Sequence, residues 1–324
     1  MRRVLSLAAV SGLVLFGASA AMADAPTPIA PAGKPLGVIP VRGQASRTAG
    51  TTGNLLYHAG GSVVTGAAQQ QYAIYWGNNF SYNGSTTYQS IINGYFGNVA
   101  ADSGKSSNVY YSDTQYSQSG GLYAQYSQTS AGTWSDTSTP AAGCNSTAGG
   151  STTCVTDAQI QAEVQKAIAA NPGWPASGMN AEYFVFLANG WSTCSGSSCF
   201  VSQFCAYHSH LDISGQHVLY ANMPFTGYQL GSCSGASGSP NNNAAADATL
   251  STVSHESNET ITDPLGNAWY DRRGNENGDK CAYNYGTRLG TVNGGDYNQA
   301  IGTGTYELQQ EWSNKSSGCV LTGQ

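Results

Sequence analysis

The chain has 324 residues, of which only 9% are charged, and its formal net charge is −6. Phosphate binding needs clustered Lys and Arg, and no such cluster occurs in the sequence, which argues against a nucleic-acid partner. The abundance of Gly, Ser, Thr, Asn and Tyr is typical of secreted proteins with hydroxyl- and amide-rich surfaces.

The first residues have the pattern of a secretory signal peptide. Two arginines precede an apolar run, and Ala21-Met22-Ala23 places the cleavage site before Asp24. No later stretch approaches the roughly 20 apolar residues of a membrane-spanning helix. We therefore expect a signal peptide at residues 1–23 and a secreted mature protein with no membrane partner.

Residues 24–53 are rich in Pro, Gly, Ala and Thr, and they lack a sustained period. This composition predicts a flexible N-terminal segment, which leaves a short propeptide open. One folded domain is then expected over residues 54–324.

The first half of this domain is predicted to alternate strands with a helix. The aromatic and β-branched run at 71–77 is typical of a buried strand. Apolar residues recur at helical spacing within 85–102, where Ser85 can cap the amide end. Residues 108–113 are predicted to form a second strand, and residues 114–155 an irregular loop or hairpin.

In the second half, Thr156 and Gln159 can form the capping box of a helix that ends at Asn171-Pro172-Gly173. The later predicted elements are a strand, a Cys-rich insertion, a strand and a last long helix, at 181–190, 191–207, 217–225 and about 243–262. Strands that alternate with helices predict an α/β or α+β domain with a mixed sheet covered by helices.

All eight cysteines lie beyond the expected cleavage site, and an even number in an exported chain favours disulfides over thiolate metal ligands. No paired CxxC spacing occurs. The short separations favour the pairings Cys144–Cys154, Cys194–Cys199, Cys205–Cys233 and Cys281–Cys319.

Acidic residues concentrate near the last helix. Of 18 in the chain, seven fall within 33 positions: Asp247, Glu256, Glu259, Asp263, Asp271, Glu276 and Asp279. On the helix, His255 and Glu259 are four residues apart, so both side chains can converge on one ion. The stripe expected to pack against the core consists of Leu250, Val253, Ser257 and Ile261.

The sequence His255-Glu256-Ser257-Asn258-Glu259 differs from the HExxH motif of zinc peptidases, in which two His ligands flank a general base. Glu259 in place of the second His adds negative charge, which weakens the preference for zinc and admits calcium or manganese. The third ligand is expected from Asp279, or else Glu276, with Glu256 as the general base. Solvated side chains or a structural calcium site are the alternative.

His208 and His210 lie two residues apart, so on a strand both would face one side and could bind metal. His58 and His217 are interpreted as packing or hydrogen-bonding residues. The sequence contains no GxSxG motif, and the even number of cysteines leaves no evident thiol nucleophile. A serine or cysteine hydrolase is therefore not expected. Paired acids for glycoside cleavage have no spacing rule that would identify them.

Several blocks of the sequence resemble the EXORDIUM or phosphate-induced protein family. They are YHAGGSVVTG with YAIYWG, FCAYHS, SHESNETITDPLGNAWYDRRGNENGDKC and YELQQEWSNKSSGCV, spread over residues 54–324. The resemblance implies an extracellular protein with a zincin-like fold, and it maps the family's helix motif onto His255, Glu256 and Glu259. Its following loop corresponds to Asp263, Trp269, Tyr270, Glu276, Asp279 and Cys281.

These observations predict a secreted, zincin-like metal-dependent hydrolase, which binds zinc, or calcium as the alternative. Its substrate would be a peptide or another extracellular polymer. The competing hypothesis is a non-catalytic extracellular protein, associated with the cell wall or with carbohydrate, whose acidic cluster holds a structural metal. The sequence does not indicate an oligomeric state.

Overall fold

A computed structural model describes residues 30–44, 53–146 and 150–324. The predicted signal peptide at 1–23 lies outside the described residues, as do residues 24–29 and 45–52 of the predicted flexible segment. No helix in the described ranges is long and apolar enough to cross a membrane.

A six-stranded mixed sheet forms the centre of the molecule. Its strands are β1 (Val38–Pro40), β2 (Gln69–Trp76), β3 (Gln128–Asp136), β4 (Gly178–Leu187), β5 (Phe204–Ile213) and β6 (Gln216–Met223). The strand order is β1-β5-β6-β4-β2-β3. Strands β6, β4, β2 and β3 run parallel, whereas β5 is antiparallel to both of its neighbours.

Within the described residues, four α-helices accompany the sheet: α1 (Tyr88–Ala101), α2 (Asp157–Ala170), α3 (Leu230–Cys233) and α4 (Ala244–Thr262). Helices α1 and α4 cover one face, where Phe184 of β4 packs on Phe96 of α1 and Glu182 accepts a hydrogen bond from Thr260 of α4. Helix α2 lies on the other face. The α+β class predicted from the sequence is therefore confirmed.

Successive residues of β5 point to opposite faces of the sheet, as the twofold period of a strand requires. Tyr207 donates a hydrogen bond of 2.6 Å to Asp157 of α2, whereas the next residue, His208, reaches Glu256 of α4. The antiparallel partner β6 contributes Tyr220 to the same α2 contact. This alternation delivers one histidine to the face that carries the acidic helix.

Short strands complete the described fold, at Leu56–Tyr57, Ser117–Gln118, Leu122–Tyr123, Thr153–Thr156, Trp191–Ser195, Ser198–Cys199, Trp269–Tyr270, Gly290–Val292, Gly295–Tyr297, Gln299–Ile301, Gly304–Tyr306, Glu311–Ser313 and Gly318–Val320. Four disulfides join the expected partners: Cys144–Cys154, Cys194–Cys199, Cys205–Cys233 and Cys281–Cys319. Such bonds persist in an oxidising compartment. The capping box of Thr156 and Gln159 at the start of α2 is also confirmed.

Several local predictions are wrong. Residues 108–113 do not form a strand. The Asn108 side chain accepts a hydrogen bond from the amide of Tyr110 and so caps a 3-10 helix, Val109–Gln115. Ser85 does not cap α1, which starts after Thr87 without a side-chain cap. The stretch 114–155, predicted as an irregular loop or hairpin, contains a short hairpin of Ser117–Gln118 and Leu122–Tyr123 but also the whole of β3. The Cys-rich insertion 191–207 contains short strands and the start of β5.

The described part of the predicted flexible segment also differs from expectation. Residues 38–40 form β1, and the side chain of Ile39 is fully buried. The strand pairs with β5 despite Pro40, because an edge strand tolerates a residue without an amide hydrogen. The described residues 30–44 are therefore part of the folded domain.

Candidate metal centre

The candidate site lies on helix α4, which passes through the interior of the protein. The Asn243 side chain accepts a hydrogen bond from the amide of Ala246 and so caps the start of the helix. Small polar side chains return hydrogen bonds to the helix itself, as when Thr262 donates to the carbonyl of Asn258. The helix is buried on every side from Ala245 to Thr262, so the expectation of a single packed stripe is wrong.

The loop after α4 is held against the helix by buried hydrogen bonds. Thr262 donates to Asn277 Oδ1 at 3.0 Å, and Asn277 Nδ2 donates to Asp113 Oδ1 at 3.0 Å. The Cys281–Cys319 disulfide ties the same loop to the C-terminal hairpin. Gly278 permits the close approach, because a Cβ there would lie 2.8 Å from His255 Nδ1.

The structure brings together the three ligands expected first from the sequence. His255 Nε2 lies 3.1 Å from Glu259 Oε1 and 3.8 Å from Asp279 Oδ1. The amide of Asp279 donates to Glu259 Oε1 at 2.8 Å, which positions the loop on the helix. One ligand atom from each of these residues lies within 4.8 Å of the others, a spacing that allows a shared cation.

A second group adjoins the first and shares Glu259 with it. His208 Nδ1 lies 3.3 Å from Glu256 Oε2 and 3.6 Å from Glu259 Oε2. Glu276 approaches from the loop, with its Oε2 3.9 Å from His208 Nε2. His208, which the sequence offered only as one alternative, therefore joins the predicted residues at a single centre.

Atoms without a hydrogen-bond partner concentrate at this centre. Six such buried atoms in the described part of the chain come from its residues: His208 Nε2, His255 Nδ1, His255 Nε2, Glu256 Oε1, Glu259 Oε2 and Glu276 Oε2. Buried polar groups are normally paired, so such a set calls for a missing partner. Imidazole nitrogens and carboxylate oxygens are zinc ligands, and the excess of carboxylates also suits calcium. The donor set therefore fits a divalent cation.

The charges at the centre are strongly coupled. Burial alone would lower the pKa of His208, but the neighbouring carboxylates of Glu256 and Glu259 raise it to about 10. Burial raises the pKa of Glu256 above its usual range, although His208 opposes the shift. Burial would also raise the pKa of Glu259, but the charge of His255 lowers it. Glu259 is thus the carboxylate that stays ionised most readily.

Two further buried acids lie near the centre and were not identified as site residues from the sequence. Burial raises the pKa of Glu311 and Asp113 well above their usual range. Neither oxygen of Glu311 has a hydrogen-bond partner in the described structure, and its charge interacts with that of His255. No spacing signal links Glu311 to α4, since the two are distant in sequence and meet only through the fold.

The other histidines lie apart from this centre. His58 stacks on Tyr270 at 3.5 Å between ring centroids, which agrees with a packing role. His210 and His217 form a separate group with Asp212, in which His217 Nδ1 lies 2.7 Å from Asp212 Oδ1. Asp212 is exposed, whereas His208, His255, Glu256 and Glu259 at the α4 centre are fully buried.

The blocks that resemble the EXORDIUM family contribute directly to the centre. The helix motif supplies His255, Glu256 and Glu259, the following loop supplies Glu276 and Asp279, and the FCAYHS block supplies His208. Membership in that family stays a prediction. No protein-family model, curated protein or solved structure shows significant similarity to this chain.

Proposed function

We propose that this protein is a secreted metal-dependent hydrolase of the zincin-like type that cleaves peptide bonds, and that it is related to the EXORDIUM family. The observation that supports the proposal is the convergence of unpaired imidazole and carboxylate atoms between β5, α4 and the loop after α4. The four disulfides agree with an extracellular location.

In this proposal His255, Glu259 and Asp279 hold the cation. Their arrangement keeps the i, i+4 pair of a metal-binding helix and adds a third ligand from the loop. When bound, zinc supplies a Lewis acid that polarises a carbonyl group and makes water more acidic. Glu276, whose Oε2 lies 3.9 Å from His208 Nε2, is the alternative third ligand.

Glu256 is the proposed general base. It adjoins the first metal ligand in sequence, its carboxylate is buried, and Oε1 has no hydrogen-bond partner among the described residues. A carboxylate whose pKa is raised by burial accepts a proton from water more effectively near neutral pH. His208 holds the other oxygen of Glu256 at 3.3 Å and so orients the base.

The second candidate function is a non-catalytic extracellular protein with a structural cation, associated with the cell wall or with carbohydrate. The specific observation in its favour is burial, since His208, His255, Glu256 and Glu259 are all 0% exposed. A structural ion needs no open coordination position, whereas a catalytic zinc ion does. The carboxylate-rich ligand set would then favour calcium.

Elemental analysis of the purified mature protein, after dialysis against trace-metal buffer, tests the metal centre first. We expect about one zinc per chain, retained in Glu256→Gln and lost in His255→Ala and Glu259→Gln. Glu163→Gln is the matched control, because Glu163 is a buried acid on α2, on the opposite face of the sheet. The absence of zinc and calcium from the wild type would refute the proposed centre.

Catalysis is tested separately with a library of quenched fluorescent peptides. Removal of a general base typically lowers turnover by about 100- to 10,000-fold, so Glu256→Gln should be nearly inactive while it retains its metal. Glu163→Gln should keep the wild-type rate. Full activity in Glu256→Gln would refute the assignment of the base, and stoichiometric calcium without any cleavage would favour the structural role.

A further inference from the structure

The chain's own N-terminal segment runs along the edge of the sheet beside the candidate centre. Beyond the β1 pairing, the amide of Gly33 donates to the carbonyl of His210 at 2.7 Å, and the amide of Leu36 donates to the carbonyl of His208 at 3.0 Å. The amide of His208 returns a bond to the carbonyl of Gly37 at 3.3 Å. Main-chain bonds therefore hold the segment in an antiparallel arrangement along β5.

The opposite side of the segment contacts the loops that follow α4. The amide of Ala30 donates to the carbonyl of Leu265 at 3.1 Å, and Tyr283 donates its hydroxyl to the carbonyl of Pro40 at 2.7 Å. The side chain of Leu36 lies beside Gly266, where an added Cβ would come within 2.8 Å of it. The segment thus occupies a groove with β5 as one wall and the loops after α4 as the other.

Gly37 is the residue of this segment that touches the centre. A Cβ at position 37 would lie 1.8 Å from Glu259 Oε2 and 2.4 Å from His208 Cε1. Only a residue without a side chain allows the backbone to pass this closely. Gly37 therefore brings a peptide unit directly over the carboxylate that both ligand groups share.

We propose that residues 33–42 are an internal peptide ligand, which fills a peptide-binding groove along β5 beside the candidate centre. Strand addition recognises a peptide through its main chain, and pockets or steric limits at single positions select the side chains. The groove would accordingly accept extended peptides with Gly at the position that faces Glu259. This inference rests on the proposed function only for the identity of the centre that the groove serves.

The test uses the full chain with a protease recognition sequence inserted between Gln44 and Gly53, cut after folding. A fluorescent synthetic peptide with the sequence of residues 30–44 should then bind the cut protein, and its polarisation should rise saturably. The uncut chain should not bind it, because a tethered segment competes at an effective concentration of about millimolar order.

Peptide variants identify the contact that matters. A Gly37→Val peptide should bind about 10- to 100-fold more weakly, since its side chain would overlap Glu259 and His208. A Lys34→Ala peptide is the matched control, because the Lys34 side chain is exposed, and its affinity should stay close to that of the wild-type peptide. A cut protein that carries Gly37→Val in its own segment should release that segment on gel filtration.

Equal binding of the Gly37→Val and wild-type peptides, or retention of the Gly37→Val segment after the cut, would overturn the inference. The readout is separate from that of the proposed function. Gly37-dependent binding in a protein without metal would support the groove and refute the metal centre. A stoichiometric metal with Gly37-independent binding would do the reverse.

Discussion

Addition of a divalent cation should raise the melting temperature of the metal-free protein. The centre contains four carboxylates, of Glu256, Glu259, Glu276 and Asp279, and the imidazoles of His208 and His255. Because a metal-bound imidazole must be neutral, the centre with all four acids ionised and only His208 protonated carries a net charge of −3. One divalent cation offsets most of this charge inside a region that excludes water.

The size of the effect follows from linkage. A ligand that binds only the folded state, at 100 times its dissociation constant, stabilises the protein by about 2.7 kcal/mol. A change of 1 kcal/mol shifts the melting temperature of a chain of this size by about 2–4 °C. We therefore expect an increase of about 5–11 °C, measured by differential scanning calorimetry as zinc or calcium is titrated into chelator-treated protein.

Two variants locate the response. Glu259→Gln removes the carboxylate common to both ligand groups and should abolish the shift. Asp212→Asn alters the separate group with His210 and His217 and should leave the shift intact. A melting temperature that does not respond to zinc, calcium or manganese would refute the reasoning, as would a response that disappears only in Asp212→Asn.

Two further predictions concern stability away from the centre. Burial raises the pKa of Glu163 from its ordinary value of 4.5 to about 7, so this residue stabilises the fold below pH 4.5 and loses that contribution as the pH rises through 7. Chemical denaturation should accordingly show that Glu163→Gln is more stable than wild type at pH 8, by about 1–2 kcal/mol once solvent screening is included. At pH 4 the two proteins should be equally stable. Equal stability at pH 8 would contradict the assignment. The 38-residue separation of Cys281 and Cys319 predicts that replacing both with Ala costs about 2–5 kcal/mol and weakens metal binding, because this bond anchors the loop of Asp279. Unchanged metal affinity in a folded double variant, measured by calorimetric titration, would show that the loop does not need the bond.

Elements with a strong local signal were predictable from the sequence. The capping box at Thr156 and the buried run within β4 specify their structures through neighbouring residues alone. Strand β3 was missed because its exposed edge position allows a mostly polar sequence, which carries no apolar alternation. Strand β1 was missed because Gly and Pro dominate its surroundings, and its pairing depends on a partner more than 160 residues away.

The contacts of the candidate site also divide into those that local sequence predicts and those that depend on distant residues. His255 and Glu259 meet because helical geometry fixes residues four apart, and this contact follows from local sequence. The concentration of acids after α4 predicts a third ligand from Asp279, and the structure places it beside His255. The contacts of His208 and Glu311 depend on how strands and hairpins assemble around α4, which no local pattern specifies.

The alternation of side chains along β5 makes the site sensitive to strand register. A slip of one residue would exchange Tyr207 for His208, and would place a phenol among the acids and an imidazole against α2. Cys205, three residues before His208, is bonded to Cys233 of α3 and prevents such a slip covalently. Oxidative folding therefore does more than stabilise the chain: this bond selects, from two pairings of the same strand, the one that leaves a histidine at the centre.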